Sequence, residues 1–417
     1  MAVLRSPAAR AESELPYLDV DSEAFRADAA AVLREARAGD RFLFSRRGIE
    51  VLAHADVQAL LADPRLETQD AHVYRRYGAQ PMLSSFAEHG LLVALHGEKH
   101  DRIRRVFLAA FRARIVNDAR PMMREVARNL VAALPDGAAP IDFVEAFSSP
   151  FPMTVLCRMI GIPVADIPAF SAAATTLHLL AATPIEPGFP EIERALSTLR
   201  EYCLALVDAR TRDPQDDIIS GLIQAQVTQG RISDDELAWN VANLIFAGQD
   251  TTRYQLASAV RAVVAEDGMW ERMHAEPELV EQVAEETLRV QPVVNFVVRV
   301  AQEDFEFGGD DGVHIGRGRR VILNVQAASR DPEHFGAPQQ FCPRGTGRHD
   351  ESFDVPFGLG DHYCLGAGLA RAEVQEALGV LSQELTDVEV VDAPRMTAPA
   401  AMLYGPEDLQ ITFARRA

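Results

Sequence analysis

The chain has 417 residues, 48% of them hydrophobic, enough for a large buried core. A formal net charge of −20 argues against nucleic acid as a partner. There is no apolar leader at Met1-Ala-Val-Leu-Arg-Ser-Pro and no run of about 18 apolar residues, so a cytoplasmic protein without a membrane anchor is expected.

No linker, repeat or low-complexity tract interrupts the chain, and a single domain over residues 1–417 is expected. Asp21 to Arg37 reads as one helix, and Arg41 to Leu52 as a β-hairpin turning at Arg47-Gly48. Helical patterns follow near 55–62, 100–114, 118–134, 150–160, 165–181, 189–212 and 214–228. Short strand-like runs lie at 304–307, 320–324, 387–391 and 408–413, so the fold class is mainly α with a small β portion. Cys157, Cys203, Cys342 and Cys364 show no Cys-x-x-Cys spacing, which indicates neither a disulfide framework nor a zinc site. Lys99 is the only lysine among 41 basic residues, a codon bias that suggests a GC-rich bacterial source.

Ser233-Asp-Asp-Glu236 is a capping box that opens a long proline-free pattern running to about Glu266. At 1.5 Å per residue this predicts a helix of about 45 Å. Its middle, Phe246-Ala-Gly-Gln-Asp-Thr-Thr252, is weak helix: Gly248 costs about 1 kcal/mol against alanine, and Thr251 and Thr252 are poor formers. A kink with satisfied hydroxyls, a small-residue packing contact or a functional groove would each account for it.

Cys364 lies in Phe357-Gly-Leu-Gly-Asp-His-Tyr-Cys-Leu-Gly366, with an amphipathic pattern from Ala367 onward. Glycines at 358, 360 and 366 let the backbone turn and approach a planar ligand. A helix N-terminus just beyond favours the thiolate. An inert core cysteine is the ordinary alternative; protease chemistry is disfavoured because His362 is only two residues from Cys364, and covalent attachment of a c-type haem is disfavoured because Cys-x-x-Cys-His is absent.

At every fixed position this loop resembles the haem-ligand signature of the cytochrome P-450 superfamily, Phe-Gly-x-Gly-x-His-x-Cys-x-Gly. The resemblance implies a bacterial haem-thiolate monooxygenase with a long central helix over a haem b and a cysteine loop beneath it. Cys364 would be the axial iron ligand, with Phe357 and Gly366 beside it. Phe246 to Thr252 resembles the family's oxygen-binding groove. By that resemblance Asp250 would gate proton entry, Thr251 would bond the iron-bound oxygen, and Ala247 with Gly248 would leave room for dioxygen. Glu286-Thr-Leu-Arg289 resembles the Glu-x-x-Arg pair, in the family's order before Arg299 and the cysteine loop. The third arginine of that network is expected at Arg344, with Arg348 as the alternative. His100, Arg104, Arg299 and His362 would hold the propionates.

The family resemblance also implies electrons from a ferredoxin and its reductase, with Arg102, Arg105, Arg344, Arg348 and Arg371 as a basic docking patch. The pocket walls would come from Tyr74 to Leu95, from Asn243 to Ala247 including Phe246, from Val293 to Phe296 including Val294 and Asn295, and from Ala400 to Leu403 including Met402. Residues 165–181 and 189–212 resemble a movable lid. A mainly hydrophobic small molecule is the expected substrate, oxidised with O2, with Asn243 or Asn295 orienting a polar group. The alternative is a haem-thiolate protein that does not insert oxygen, such as a ring-coupling enzyme, possibly acting on a carrier-bound substrate.

Overall fold

The computed structural model describes residues 9–108, 111–181, 185–229, 232–343 and 355–416. In chain order, the first elements are α1 (Glu23–Ala27), α2 (Ala29–Gly39), β1 (Phe42–Ser45), β2 (Gly48–Val51), α3 (His54–Leu61), β3 (Leu66–Glu67), α4 (His72–Arg76), α5 (Pro81–His89), α6 (Gly97–Leu108) and α7 (Ala113–Ala133). Then come β4 (Ile141–Asp142), α8 (Pro150–Ile160), α9 (Ile167–Thr176), α10 (Phe189–Arg212), α11 (Ile218–Gln229), α12 (Asp234–Val264), α13 (Met269–Ala275) and α14 (Leu279–Val290). The last are β5 (Phe296–Ala301), β6 (Phe305–Phe307), β7 (Val313–Ile315), β8 (Arg320–Asn324), α15 (Val325–Ala328), α16 (Ala367–Glu384), β9 (Leu385–Val390) and β10 (Gln410–Arg415). Among the described residues no helix is long and apolar enough to cross a membrane.

Two compact units form. The first takes residues up to Gln69, Leu288–Cys364 and Ala398–Tyr404. Its sheet runs β1-β2-β8-β5-β3, with β2 and β8 parallel and the other pairs antiparallel. Val51, Val57, Leu60, Val313, Ile315, Val321 and Leu323 fill its core. The expected single helix over 21–37 is broken at Asp28, whose φ is −153°. The Asp28 carboxylate accepts from Ala31 N at 3.0 Å, so a local cap replaces helix continuation. The hairpin turns one residue earlier than expected, since Ser45 pairs with Gly48 and leaves Arg46-Arg47 as the two-residue turn. Gly48 adopts φ +144°, and a Cβ there would strike the Arg320 carbonyl on β8. It serves the close strand approach rather than the turn itself.

The second unit takes Asp70–Thr287, Leu365–Thr397 and Gly405 to the end of the chain. Its spine is α12, 31 residues and about 46 Å long. The capping box is formed as expected: Ser233 Oγ accepts from Glu236 N at 3.1 Å and Ser233 N donates to Glu236 Oε2 at 2.9 Å. Helices α8, α9, α10 and α16 pack against α12, and Phe143, Phe147 and Phe151 stack at 5.3 and 5.6 Å beside it. The stretch from Tyr74 to Leu95, expected to wall the pocket, holds the end of α4 and all of α5; Pro81 at the first helical position starts the latter.

Candidate active site

The cysteine loop of the first unit is shaped by two left-handed glycines, Gly358 (φ +75°) and Gly360 (φ +70°). Gly358 N donates to Val355 O at 3.1 Å, Tyr363 N to Gly360 O at 3.0 Å and Cys364 N to Phe357 O at 2.9 Å. These bonds fold residues 355–364 back on themselves and leave Cys364 exposed, with Phe357 and His362 half-buried. Gly366, the N-cap of α16, has an ordinary φ of −91°, and among the described residues, its chain neighbours aside, no atom lies within 4 Å of where its Cβ would stand. The space a side chain would fill there is left open.

On α12 the residues Asn243, Ala247 and Thr251 are four apart and share a face. Most of this helix is buried, yet Ala247 is exposed and Asn243, Phe246 and Thr251 are half-buried. Thr251 Oγ1 donates to the Ala247 carbonyl at 2.9 Å, a back-bond that satisfies the hydroxyl locally. Gly248 faces elsewhere: a Cβ there would lie 2.9 Å from Leu156 Cδ2 of α8, so its smallness serves helix packing. Asp250 is 2% exposed and lies 3.0 Å from the Arg253 guanidinium, but neither carboxylate oxygen meets hydrogen-bond geometry. The contact is ionic without alignment. Burial pushes the Asp250 pKa up, and the charges of Arg253 and His178 pull it partly back.

Thr252, whose role the sequence left open, is buried and hydrogen-bonds Glu373 on α16. Glu373 escaped the sequence reading altogether. Burial raises its pKa to about 8, and the Thr252 bond offsets this in part. The available signal was an acidic residue on the apolar Leu369–Glu373–Ala377 face of an amphipathic helix.

His100 is buried on α6 with its Nδ1 3.0 Å from Asp101 Oδ1, and Arg104, one turn on, is half-buried. Arg102 turns away to pair with Glu236 of α12 at 2.6 Å. In the first unit Arg299 on β5 is 4% exposed and donates to the Val298 carbonyl at 3.2 Å. No carboxylate among the described residues pairs with it, and burial lowers its pKa to about 10. A buried cation of this kind calls for an anion. Arg289 donates to the carbonyls of Ser329 (3.1 Å), Pro338 (2.9 Å) and Gln340 (2.6 Å), tying the end of α14 to 329–340. Glu286 is buried on the same helix; Arg344 and Arg348 lie outside the described residues.

The structure brings Val294, Asn295, Phe296 and Met402 together in the first unit. Val294 bridges to Leu403, and Asn295 N donates to Met402 O at 2.9 Å. The Asn295 amide nitrogen is committed to the carbonyls of Pro399 (3.1 Å) and Ala401 (3.2 Å), leaving only Oδ1 for anything else. It clamps backbone instead of pointing a donor at a ligand.

A model of the cytochrome P-450 family matches residues 255–390. Luteothin monooxygenase of Streptomyces thioluteus is 30% identical over 96% of this chain and 97% of its own length. Nocardicin C N-oxygenase of Nocardia uniformis is 31% identical over 87% of this chain and 89% of its own. The chain belongs to the cytochrome P-450 family. Ligand-free Mycobacterium smegmatis CYP164A2 shares the fold at a TM-score of 0.80 and 27% identity, covering 93% of this P-450 and 97% of that chain. The protein is a cytochrome P-450 monooxygenase that uses O2 and redox partners, with a haem iron bound through a cysteine thiolate. The residues present fit that group: an exposed thiol on a glycine-shaped loop, open space at Gly366, and a buried arginine that no carboxylate among the described residues pairs with.

Proposed function

We propose that this P-450 inserts one oxygen atom into a mainly hydrophobic small molecule of secondary metabolism or catabolism. Cys364 would hold the haem iron, and His100, Arg104, Arg299 and His362 the propionates. When bound, the haem supplies oxygen activation, strengthened by a thiolate ligand. The observation that carries the reading is the accessible Asn243–Ala247–Thr251 stripe beside a buried Asp250, on a helix most of whose residues are buried. Thr251 Oγ1 can give up its bond to Ala247 O and turn its proton outward. Asp250, held by Arg253 without an aligned hydrogen bond, has a raised proton affinity and can take a proton and release it inward. An intact acid–alcohol pair favours oxygen insertion over a reaction without it.

A small-molecule substrate is supported by relatives named for luteothin and nocardicin C. Phe246, Val294, Phe296 and Met402 are apolar, which supports a hydrophobic ligand, and Asn243, half-buried on the stripe, would be the polar group that orients it. Glu286, Arg289 and Arg344 would brace the segment that leads to the cysteine loop. The chain passes from one unit to the other after residues 69, 287, 364, 397 and 404, which supports one functional domain over 1–417. Electrons would come from a ferredoxin and its reductase in the cytoplasm. Arg105, exposed on α6, supports a docking face, whereas Arg102 and Arg371 are already paired with Glu236 and Glu285. Thr251→Ala tests the reading: product per reductant consumed should fall and hydrogen peroxide rise, with haem content unchanged. Unaltered coupling would refute the acid–alcohol assignment.

A further inference from the structure

The two arginines of the β1–β2 turn are placed in opposite ways. Arg46 is exposed and pairs with Asp21, whereas Arg47 is 5% exposed, a burial that arginine accepts only with partners. Its first partner is Glu50 of β2, itself fully buried: Nε donates to Oε1 at 2.9 Å and Nη2 to Oε2 at 3.1 Å. Ser45 Oγ donates to the same Oε1 at 2.6 Å. A buried ion pair adds little to stability, because desolvation offsets most of the attraction. What the pair does fix is the plane of the guanidinium.

That plane has two further neighbours, both far along the chain. Its face lies over the Phe296 ring, 4.4 Å from the centroid. Its edge donates from Nη1 to the Ala400 carbonyl at 3.4 Å. This carbonyl is one of four in succession, 399–402, that are held from outside their own segment. Asn295 holds the other three, through Nδ2 to Pro399 O and Ala401 O and through its backbone N to Met402 O. Residues 47 and 295 together therefore set the path of the segment that carries Met402, and the first also covers the ring next to the second.

We propose that Arg47 is a positioning residue for substrate selection: braced by Glu50, it holds Phe296 and residues 399–402 in one arrangement, so that the pocket wall they carry selects ligands by shape. This rests on the reading above that Val294, Phe296 and Met402 wall the substrate pocket. Lysine is no substitute, since an ammonium has no plane to lay on Phe296 and no fork to reach Glu50 and Ala400 together. The test titrates the haem-loaded protein with imidazole and with 4-phenylimidazole, read at the Soret band, and follows hydrogen exchange at the Ala401 amide, which donates to Ala398 O at 2.8 Å. Imidazole needs only the iron, whereas the phenyl group must also meet the wall. Arg47→Lys should raise exchange at Ala401 and weaken 4-phenylimidazole about fivefold, the factor for one net hydrogen bond, with imidazole affinity unchanged. Arg47→Met combined with Glu50→Gln leaves no buried charge behind, keeps the test open where Arg47→Lys folds poorly, and should shift the ratio of the two affinities in the same sense. An unchanged ratio would overturn the proposal whatever the melting temperature does, because a purely structural tie lowers stability and leaves the ratio alone. Unchanged exchange at Ala401 would overturn it as well. Met402→Ala then separates the causes. A shifted ratio in Met402→Ala leaves the pocket reading standing without Arg47; an unshifted ratio removes both.

Discussion

Glu373→Gln isolates what it costs to keep a carboxyl group inside this fold. Glu373 is 2% exposed on α16, and burial raises its pKa from the ordinary 4.5 to about 8, with the Thr252 hydrogen bond opposing. The folded protein therefore keeps a proton on this group over a range in which the unfolded chain releases it. The sign follows from linkage. The stability contribution is complete below about pH 4.5, is lost as pH rises toward 8, and is flat beyond. The slope is at most about 1.4 kcal/mol per pH unit, and the whole loss is about 5 kcal/mol at most. Glutamine keeps the volume and a hydrogen-bonding atom for Thr252 but cannot ionise. Urea unfolding of wild type and Glu373→Gln, followed by circular dichroism between about pH 5 and pH 8, should show the variant gaining on wild type by about 1 kcal/mol per pH unit. Parallel profiles would refute a buried, protonated Glu373.

Arg299→Gln should lower haem retention on dilution and slow haem uptake by apoprotein, because the buried cation would no longer meet a propionate; equal retention would remove Arg299 from that role. Arg105→Glu should slow reduction by an acidic ferredoxin and flatten its salt dependence, since screening reaches about 10 Å at 0.1 M. Peroxide-driven turnover, which bypasses the partner, should stay unchanged in Arg105→Glu. Identical rates and salt slopes in wild type and variant would move the docking face elsewhere.

What was legible in the sequence is what local chemistry decides. The limits of α8 and α10 fell where the pattern put them, since Pro150 opens the first, Gly161 at φ +96° closes it, and Phe189-Pro190 opens the second. The capping box at Ser233 was readable for the same reason. The break at Asp28 was not, because an aspartate on an apolar-periodic stretch reads as a solvated helix position until its carboxylate is seen capping Ala31. Gly248 was assigned room for dioxygen by resemblance, and only the neighbouring helix reveals Leu156 against it. Asn295 looked like a ligand-orienting amide for want of any view of residues 399–402, more than 100 positions on. Glu373 was hidden by its helix, where one acidic residue among alanines and leucines has no local signature of burial.

The most direct test of the account is the reduced carbon monoxide spectrum of Cys364→Ser beside Cys157→Ser and Cys342→Ser. Cys157 is buried, and burial pushes its thiol pKa up to about 12, which makes it a poor thiolate donor, whereas Cys364 is exposed. Wild type, Cys157→Ser and Cys342→Ser should show the red-shifted Soret band of thiolate ligation, and Cys364→Ser should lack it. Retention of that band in Cys364→Ser, with loss in either of the others, would contradict the central assignment.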